Sequence, residues 1–275
     1  MIRPALMGLL ALLLAPVPTE AGPPRRIVSF NLCSDQLVLL LARRERIASV
    51  SYLAADPAMS ALADQARGLH LNHRQAEEIL ALDPDLVLTS TFTDRATTAL
   101  LARLGRRVVA LPPVTSLAET RAQILDVADL LGEPARGRAM VAELDAALAA
   151  VPPPAPPRAR AVLFQANGWT EGPATLAGDL LRHAGLDNLA VSYGIDAYGR
   201  LPLETVLLAA PDLVVSGTMP GNAPSLGQAL LDHPALRTAL PDRRRVRVPE
   251  ALWTCGLPQT ADAVALLARA RDRLR

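Results

Sequence analysis

Lysine is absent from this chain, so all 28 basic side chains are arginine, a bias of composition rather than a functional pattern. An excess of either charge is absent as well. The 28 basic and 27 acidic residues leave a formal net charge of +1, which removes the electrostatic case for a nucleic-acid partner. No glycine-rich phosphate loop occurs, because Gly168, Gly172 and Gly178 do not fit the dinucleotide fingerprint. Beyond the N-terminus no apolar run is long enough to cross a bilayer, so the chain reads as not membrane-embedded. Histidine is scarce. His70, His73, His183 and His233 do not follow expected strand ends and read as solvated or capping residues. A bare divalent cation would want three or four convergent ligands, so no metal-ligand residues are assigned. A nucleophilic Cys33 would want a histidine base and an orienting third group, and no motif places one.

What is present is a repeat. Glu77–Ser90 reads EEILALDPDLVLTS and Glu204–Gly217 reads ETVLLAAPDLVVSG, with each Glu seven residues before a Pro. In each copy aliphatics at helical spacing lead to Pro-Asp, then to an aliphatic run ending in small polar residues. Proline disfavours helix at the residue before it and ends the segment. Leu86–Leu88 and Leu213–Val215 then read as short strands buried on both faces, as parallel sheets require. A second pairing precedes this one: Arg26–Phe30 (RIVSF) matches Arg160–Phe164 (RAVLF), and Val50-Ser51-Tyr52 matches Val191-Ser192-Tyr193. The fold class is therefore α/β: two similar lobes with mainly parallel sheets and a cleft between them.

Residues 1–21 read as a secretory signal, with Arg3 at its start, an apolar Leu6–Ala15 run and small Thr19 and Ala21 before a cleavage point at Gly22. The expected units are then a first lobe over 22–132, a connecting helix and Pro-rich spacer over 133–157, and a second lobe over 158–275. Ser34 or Asp35 can cap the helix after the first strand. Ser116 with Glu119 forms a capping-box pattern, Gly132 suits a left-handed exit and Pro134 suits the first turn of the next helix. That helix, about Pro134–Val151, spans roughly 25 Å at 1.5 Å per residue. PPPAPP follows as a stiff extended spacer, so lobe motion is expected to be small. Thr260–Leu274 reads as a terminal helix with its arginines in solvent.

Ligands of open α/β sheets bind outside the strands' carboxyl ends. That rule marks Asn31, Cys33, Ser34, Asp35, Tyr52, Thr91 and Phe92 in the first lobe, and Asn167, Trp169, Tyr193, Thr218 and Trp253 in the second. Trp169 is the first choice among the aromatics and Trp253 the second. Export leaves three readings for Cys33 and Cys255: a disulfide between the lobes, two separate thiols, or a metal or ligand contact.

The segments RIVSFNLCSDQL, AEEILALDPDLVL, GPATLAGDLLRHAGLDNLA, LPLETVLLAAPDLVV and the LWTCG turn, in this order, resemble substrate-binding proteins of ABC importers, of the iron-siderophore and cobalamin class. The resemblance covers nearly all of the chain after the signal. It implies two α/β lobes joined by one long helix and a soluble, monomeric periplasmic carrier. The cargo would be an iron chelate (siderophore or haem) or a corrinoid, handed to an inner-membrane ABC permease. It also implies that Glu77 and Glu204 dock on permease arginines. No cofactor is expected, although the ligand itself would carry iron or cobalt. A divalent-metal-ion carrier of a related importer and an exported hydrolase stand as alternatives.

Overall fold

The computed structural model describes residues 22–93, 95–218 and 225–275. The signal expected over 1–21 lies outside them. Among the described residues the first lobe is a parallel sheet in the order β3-β2-β1-β4-β5, and the second a parallel sheet in the order β11-β10-β6-β8.

The first lobe runs β1 (Ile27–Ser29), α1 (Leu32–Leu41), β2 (Ile47–Ser51), α2 (Ala63–Ala66), β3 (Leu71–Asn72), α3 (Ala76–Ala81), β4 (Leu86–Ser90), α4 (Arg95–Arg103) and β5 (Val108–Leu111). Two helices follow, α5 (Leu117–Leu131) and α6 (Pro134–Ala149). The second lobe contains β6 (Ala159–Leu163), β7 (Trp169–Glu171), α7 (Leu176–His183), β8 (Leu186–Asn188), β9 (Tyr198–Arg200), α8 (Leu203–Ala209) and β10 (Leu213–Thr218). It is completed by α9 (Leu226–Ala229), α10 (Pro234–Ala239), β11 (Arg245–Pro249) and α11 (Thr260–Asp272).

The Pro-Asp repeat is a structural repeat. Asp83 and Ala210, the residues before the two prolines, both take left-handed backbone (φ 46° and 43°), a conformation that costs a non-glycine residue about 1–2 kcal/mol. Each is held from outside by arginine. Arg26 donates to the carbonyl of Asp83 and Arg160 to that of Ala210. Arg106 donates to the carbonyl of Pro84 and Arg244 to that of Pro211. The Asp carboxylates pin the neighbouring strand: Asp85 accepts from the amides of Arg25 and Arg26 at 2.6 and 2.9 Å, and Asp212 from that of Arg160 at 2.8 Å. Beyond this clamp, Leu86–Leu88 and Leu213–Val215 are buried between helices, and Phe30 and Phe164 are fully buried at matching strand ends.

The second pairing holds only in part. Val50 and Ser51 end strand β2, whereas Val191-Ser192-Tyr193 lies in a 3-10 helix three residues beyond β8. The tripeptides are alike in sequence but do not occupy equivalent places, because the backbone of the second lobe has already left its sheet. The α1 cap is Asn31, whose side chain accepts from the Cys33 amide, not Ser34 or Asp35. Both of those point inward and are buried.

The joint between the lobes is a pair of helices. Leu117 at the start of α5 lies in the second lobe's core, while Ile124, Val127 and Leu131 lie in the first. Helix α6, antiparallel to it, places Met140 in the first core and Leu144 in the second. Ser116 caps α5 by accepting from the Glu119 amide, and Glu119 returns its carboxylate to Thr115 rather than to Ser116. Asp179 of α7 takes the next free amide, that of Leu117, at 2.8 Å, which ties α5 to the second lobe. Gly132 exits α5 in left-handed backbone and Pro134 opens α6. The Pro-rich spacer contains a cis bond at Pro156-Pro157. At the C-terminus Arg271 is buried, donating to the carbonyls of Ala184 and Pro152, so α11 does not turn all its arginines to solvent.

Candidate functional site

The two sheets present their carboxyl ends to each other, and a depression of about 290 Å³ lies between them. Asn31, Cys33, Ser34 and Ser90 line it from the first lobe; Glu171, Tyr198, Glu250 and Trp253 line it from the second. A neighbouring depression of about 280 Å³ is lined by Gln165, Asn167, Trp169 and Gly217 and shares Glu171 and Glu250 with the first. A larger hollow of about 450 Å³ belongs to one lobe only. Two of its three arginines, Arg245 and Arg247, pair with Asp242 and Asp232, and the strand-end rule favours the interlobe cleft.

The first-lobe wall is a rigid polar cap. Asn31 accepts from the Cys33 amide and donates to Thr93, and Ser34 bonds to Ser29 at 2.7 Å. Cys33 and Cys255 form a disulfide, with Cα atoms 5.3 Å apart. Cys255 and Leu257 follow the last strand of the second lobe yet pack in the first lobe's core, so this segment crosses the cleft floor and is fastened there. Asp35, in contrast, is fully buried behind the wall, where its carboxylate accepts from the amide and hydroxyl of Ser51. Burial pushes its pKa up to about 6, against the opposing bonds from Ser51 and Ser29. Asp35 thus serves the fold and does not face ligand.

The second-lobe wall is carboxylate-bearing. Glu250, directly after β11, accepts from the indole N–H of Trp253 at 2.9 Å. Burial raises its pKa, and the bonds from Trp253 and Thr254 oppose the rise. Glu171 sits opposite Tyr198 in the β7–β9 antiparallel ribbon. Burial raises its pKa first; the Thr175 hydroxyl offsets part of this and the charge of Glu250 adds to it.

The remaining candidates divide. Trp253 lines the cleft but is 5% exposed, its ring built into the second lobe's core. Trp169 is 44% exposed, at the edge of the adjoining depression, with the Arg200 guanidinium 4.7 Å from its ring centre. Asn167 stands beside it in left-handed backbone. Tyr52 stacks on His73 with ring centres 5.6 Å apart and carries Arg74 over its face, outside both depressions. Thr91 and Phe92 lie past β4, Thr218 ends β10 and Tyr193 ends a 3-10 helix; all four also fall outside the depressions. Loop residues follow the strand-end rule, but which way each loop folds is decided by packing. Glu171, Tyr198 and Glu250 were missed. Glu250 was findable, since it follows a strand the sequence shows; Glu171 and Tyr198 sit in strands of three residues, too short for periodicity to reveal.

Glu77 and Glu204 occupy the first turns of α3 and α8, are exposed, and make no side-chain hydrogen bond or ion pair among the described residues. Each helix runs back antiparallel to the strands, so its N-terminus lies at the same carboxyl edge as the cleft. Among the described residues no group of three or more His, Cys, Asp or Glu converges. No helix among them is long and apolar enough to cross a membrane.

Known proteins share this architecture. A periplasmic heme-binding protein of Roseiflexus sp. RS-1 superposes with a TM-score of 0.73 at 23% identity, over 91% of this chain and 99% of that one. A periplasmic vitamin B12 binding protein of Vibrio cholerae gives 0.66 at 19%, over 92% and 98%. These likenesses concern the fold. In sequence, a cobalamin-binding protein of Halobacterium salinarum is 26% identical over 218 residues, 78% of this chain and 59% of the relative, so the chain spans less than two thirds of that protein. The periplasmic binding protein family profile matches residues 27–251, from the first strand to just past the last. With both sheets, the helical joint and most of the cleft lining inside that match, the chain belongs to the periplasmic binding protein family.

Proposed function

We propose that the chain is an exported periplasmic carrier that captures a metal chelate, whether an iron siderophore, haem or a corrinoid, and delivers it to an inner-membrane ABC permease. The observation that carries this reading is the cleft formed by matching sheet edges, flanked in each lobe by an unpartnered exposed glutamate at the same position of the repeat. Such a cleft holds a small molecule between two rigid walls. The paired carboxylates Glu77 and Glu204 face the same side, so one membrane partner can engage both lobes while the ligand is held. Relatives named for cobalamin, heme and vitamin B12 support the chelate class. The reading is of a binding protein and not of a catalyst. Among the described residues, the side chains lining the cleft form no nucleophile–base pair.

Mass spectrometry of small molecules co-purifying with the mature protein tests it. A bound metal chelate supports the reading. Absence of any, together with no binding of added chelates by calorimetry, removes it.

A further inference from the structure

The charge of the cleft goes further than its shape. In a chain with 28 basic residues, neither depression is lined by an arginine or a histidine among the described residues; the charged ones lining them are Glu171 and Glu250, which both share. The nearby cations have partners, and Arg200 stands with its partner at the edge of the second depression. Arg200 lies on the ring of Trp169, Arg74 on that of Tyr52, and Arg245 and Arg247 pair with Asp242 and Asp232.

The two carboxylates are held, not loose. One oxygen of Glu250 takes the Trp253 indole and the Thr254 hydroxyl. The other rests against the Cα of Gly217, where any Cβ would come within 1.7 Å of it, and has no hydrogen-bond partner among the described residues. Glu171 faces the same side of its ribbon as Tyr198, its register partner. Burial, and after it the charge of Glu171, pushes the Tyr198 phenol up. An ionised carboxylate offers only acceptors, and a like charge brought beside it in a partly desolvated cleft is repelled.

We infer that Glu171 and Glu250 set the charge class of the ligand: they accept chelates presenting N–H donors or net positive charge and reject chelates presenting carboxylates. This rests on the cleft being the chelate site, as proposed above. It narrows that reading toward amide-bearing or cationic chelates and away from acidic ones.

The test is calorimetric titration of the mature protein, and of Glu171→Gln, Glu250→Gln and the double variant, with three probes. They are cyanocobalamin, with amide side arms; ferrioxamine B, a cationic hydroxamate; and haem, with its propionates. Wild-type protein should bind one of the first two at least about tenfold more tightly than haem, and the double variant should shrink that ratio by about tenfold. Gln keeps the size of each side chain, and either single variant should move the ratio the same way if the double one does not fold. Carboxylates that only support the wall would change affinity for every probe alike and leave the ratio in place, which overturns the inference. Tight haem binding by wild type overturns it while leaving the cleft reading intact. Failure of all three probes to bind overturns both.

Discussion

The two lobes share a frame down to individual hydrogen bonds and differ where they face each other. In both, a left-handed residue precedes Pro-Asp, an arginine from the first strand holds its carbonyl, and the Asp carboxylate pins that strand's opening amide. Past the strands the lobes part. The first closes its edge at once: Asn31 caps α1, and Asp35, Ser29 and Ser51 knit a buried polar layer behind it. The second places β7 between its first strand and α7, pairs it with β9 from beyond β8, and keeps its carboxylates at the cleft. The same clamp thus supports one wall sealed by a buried polar layer and one that carries carboxylates to the cleft. The lesson is that the repeat builds the scaffold, while segments outside it, β7, β9 and the turn after β11, decide what the edge can do.

The comparison can be pressed hardest at its outer face. Replacing both Glu77 and Glu204 by Ala should leave melting temperature and ligand affinity near wild type, since exposed charges are usually worth about 0.5 kcal/mol or less. Uptake, or stimulation of permease ATPase, should fall sharply, because losing one partner of an interface charge pair costs about 2–5 kcal/mol. Each single variant measures one lobe, and unequal losses would show that docking is not symmetric. Wild-type uptake by the double variant would remove the docking role.

Next in size is the link between the walls. Cys33→Ala with Cys255→Ala opens a loop closed across 222 residues of sequence separation and should cost about 2–5 kcal/mol in thermal unfolding. Untreated denatured protein should show no thiol to an alkylating reagent. Because α5 and α6 each sit in both cores, the lobes should remain joined, so a reduced protein that still binds ligand is the expected result.

The sealed wall carries its own signature. Asp35 has a folded pKa of about 6 against an ordinary value of 3.8, so its stabilising contribution is complete below pH ~4 and is lost as pH rises through about 6. Asp35→Asn keeps an acceptor for the Ser51 amide and cannot ionise. It should be more stable than wild type above pH 7 by up to about 3 kcal/mol, the shift converted at ~1.4 kcal/mol per unit. The gain should vanish near pH 4 when unfolding is followed across pH. A pH-independent difference would mean that Asp35 is not the titrating group.

The smallest effects compare the clamps themselves. Asp85 receives two strand amides and Asp212 one, so Asp85→Ala should cost roughly 1–2 kcal/mol more than Asp212→Ala in denaturant titrations, one charge-assisted bond being the difference. Equal costs would show that the second amide bond adds nothing.

Much of the frame could be read from the chain because it is written in local terms. Proline disfavours helix before it, the aliphatic runs Leu86–Leu88 and Leu213–Val215 are driven out of water, and Gly132 and Pro134 mark a helix exit and entry. The site was legible only where it lies on such landmarks. Asn31, Cys33, Ser34, Asn167, Trp169 and Trp253 line the cleft as strand-end residues should, while Asp35, Tyr52 and Tyr193 obey the same rule in sequence and end elsewhere. Asp35 differs from Ser34 by one position on a helix, a turn of about 100°; both are buried, but Ser34 backs the cleft wall on Ser29 while Asp35 turns to Ser51.

The sequence by itself determined two α/β lobes, their order and the matched glutamates, because periodicity and turn chemistry act over a few residues. Only the tertiary structure decided that Cys33 meets Cys255, that α5 belongs to both cores and that Glu171 and Glu250 share one cleft. These are contacts between segments far apart in the chain, set by how the two sheets pack across the joint, and no local pattern encodes that distance.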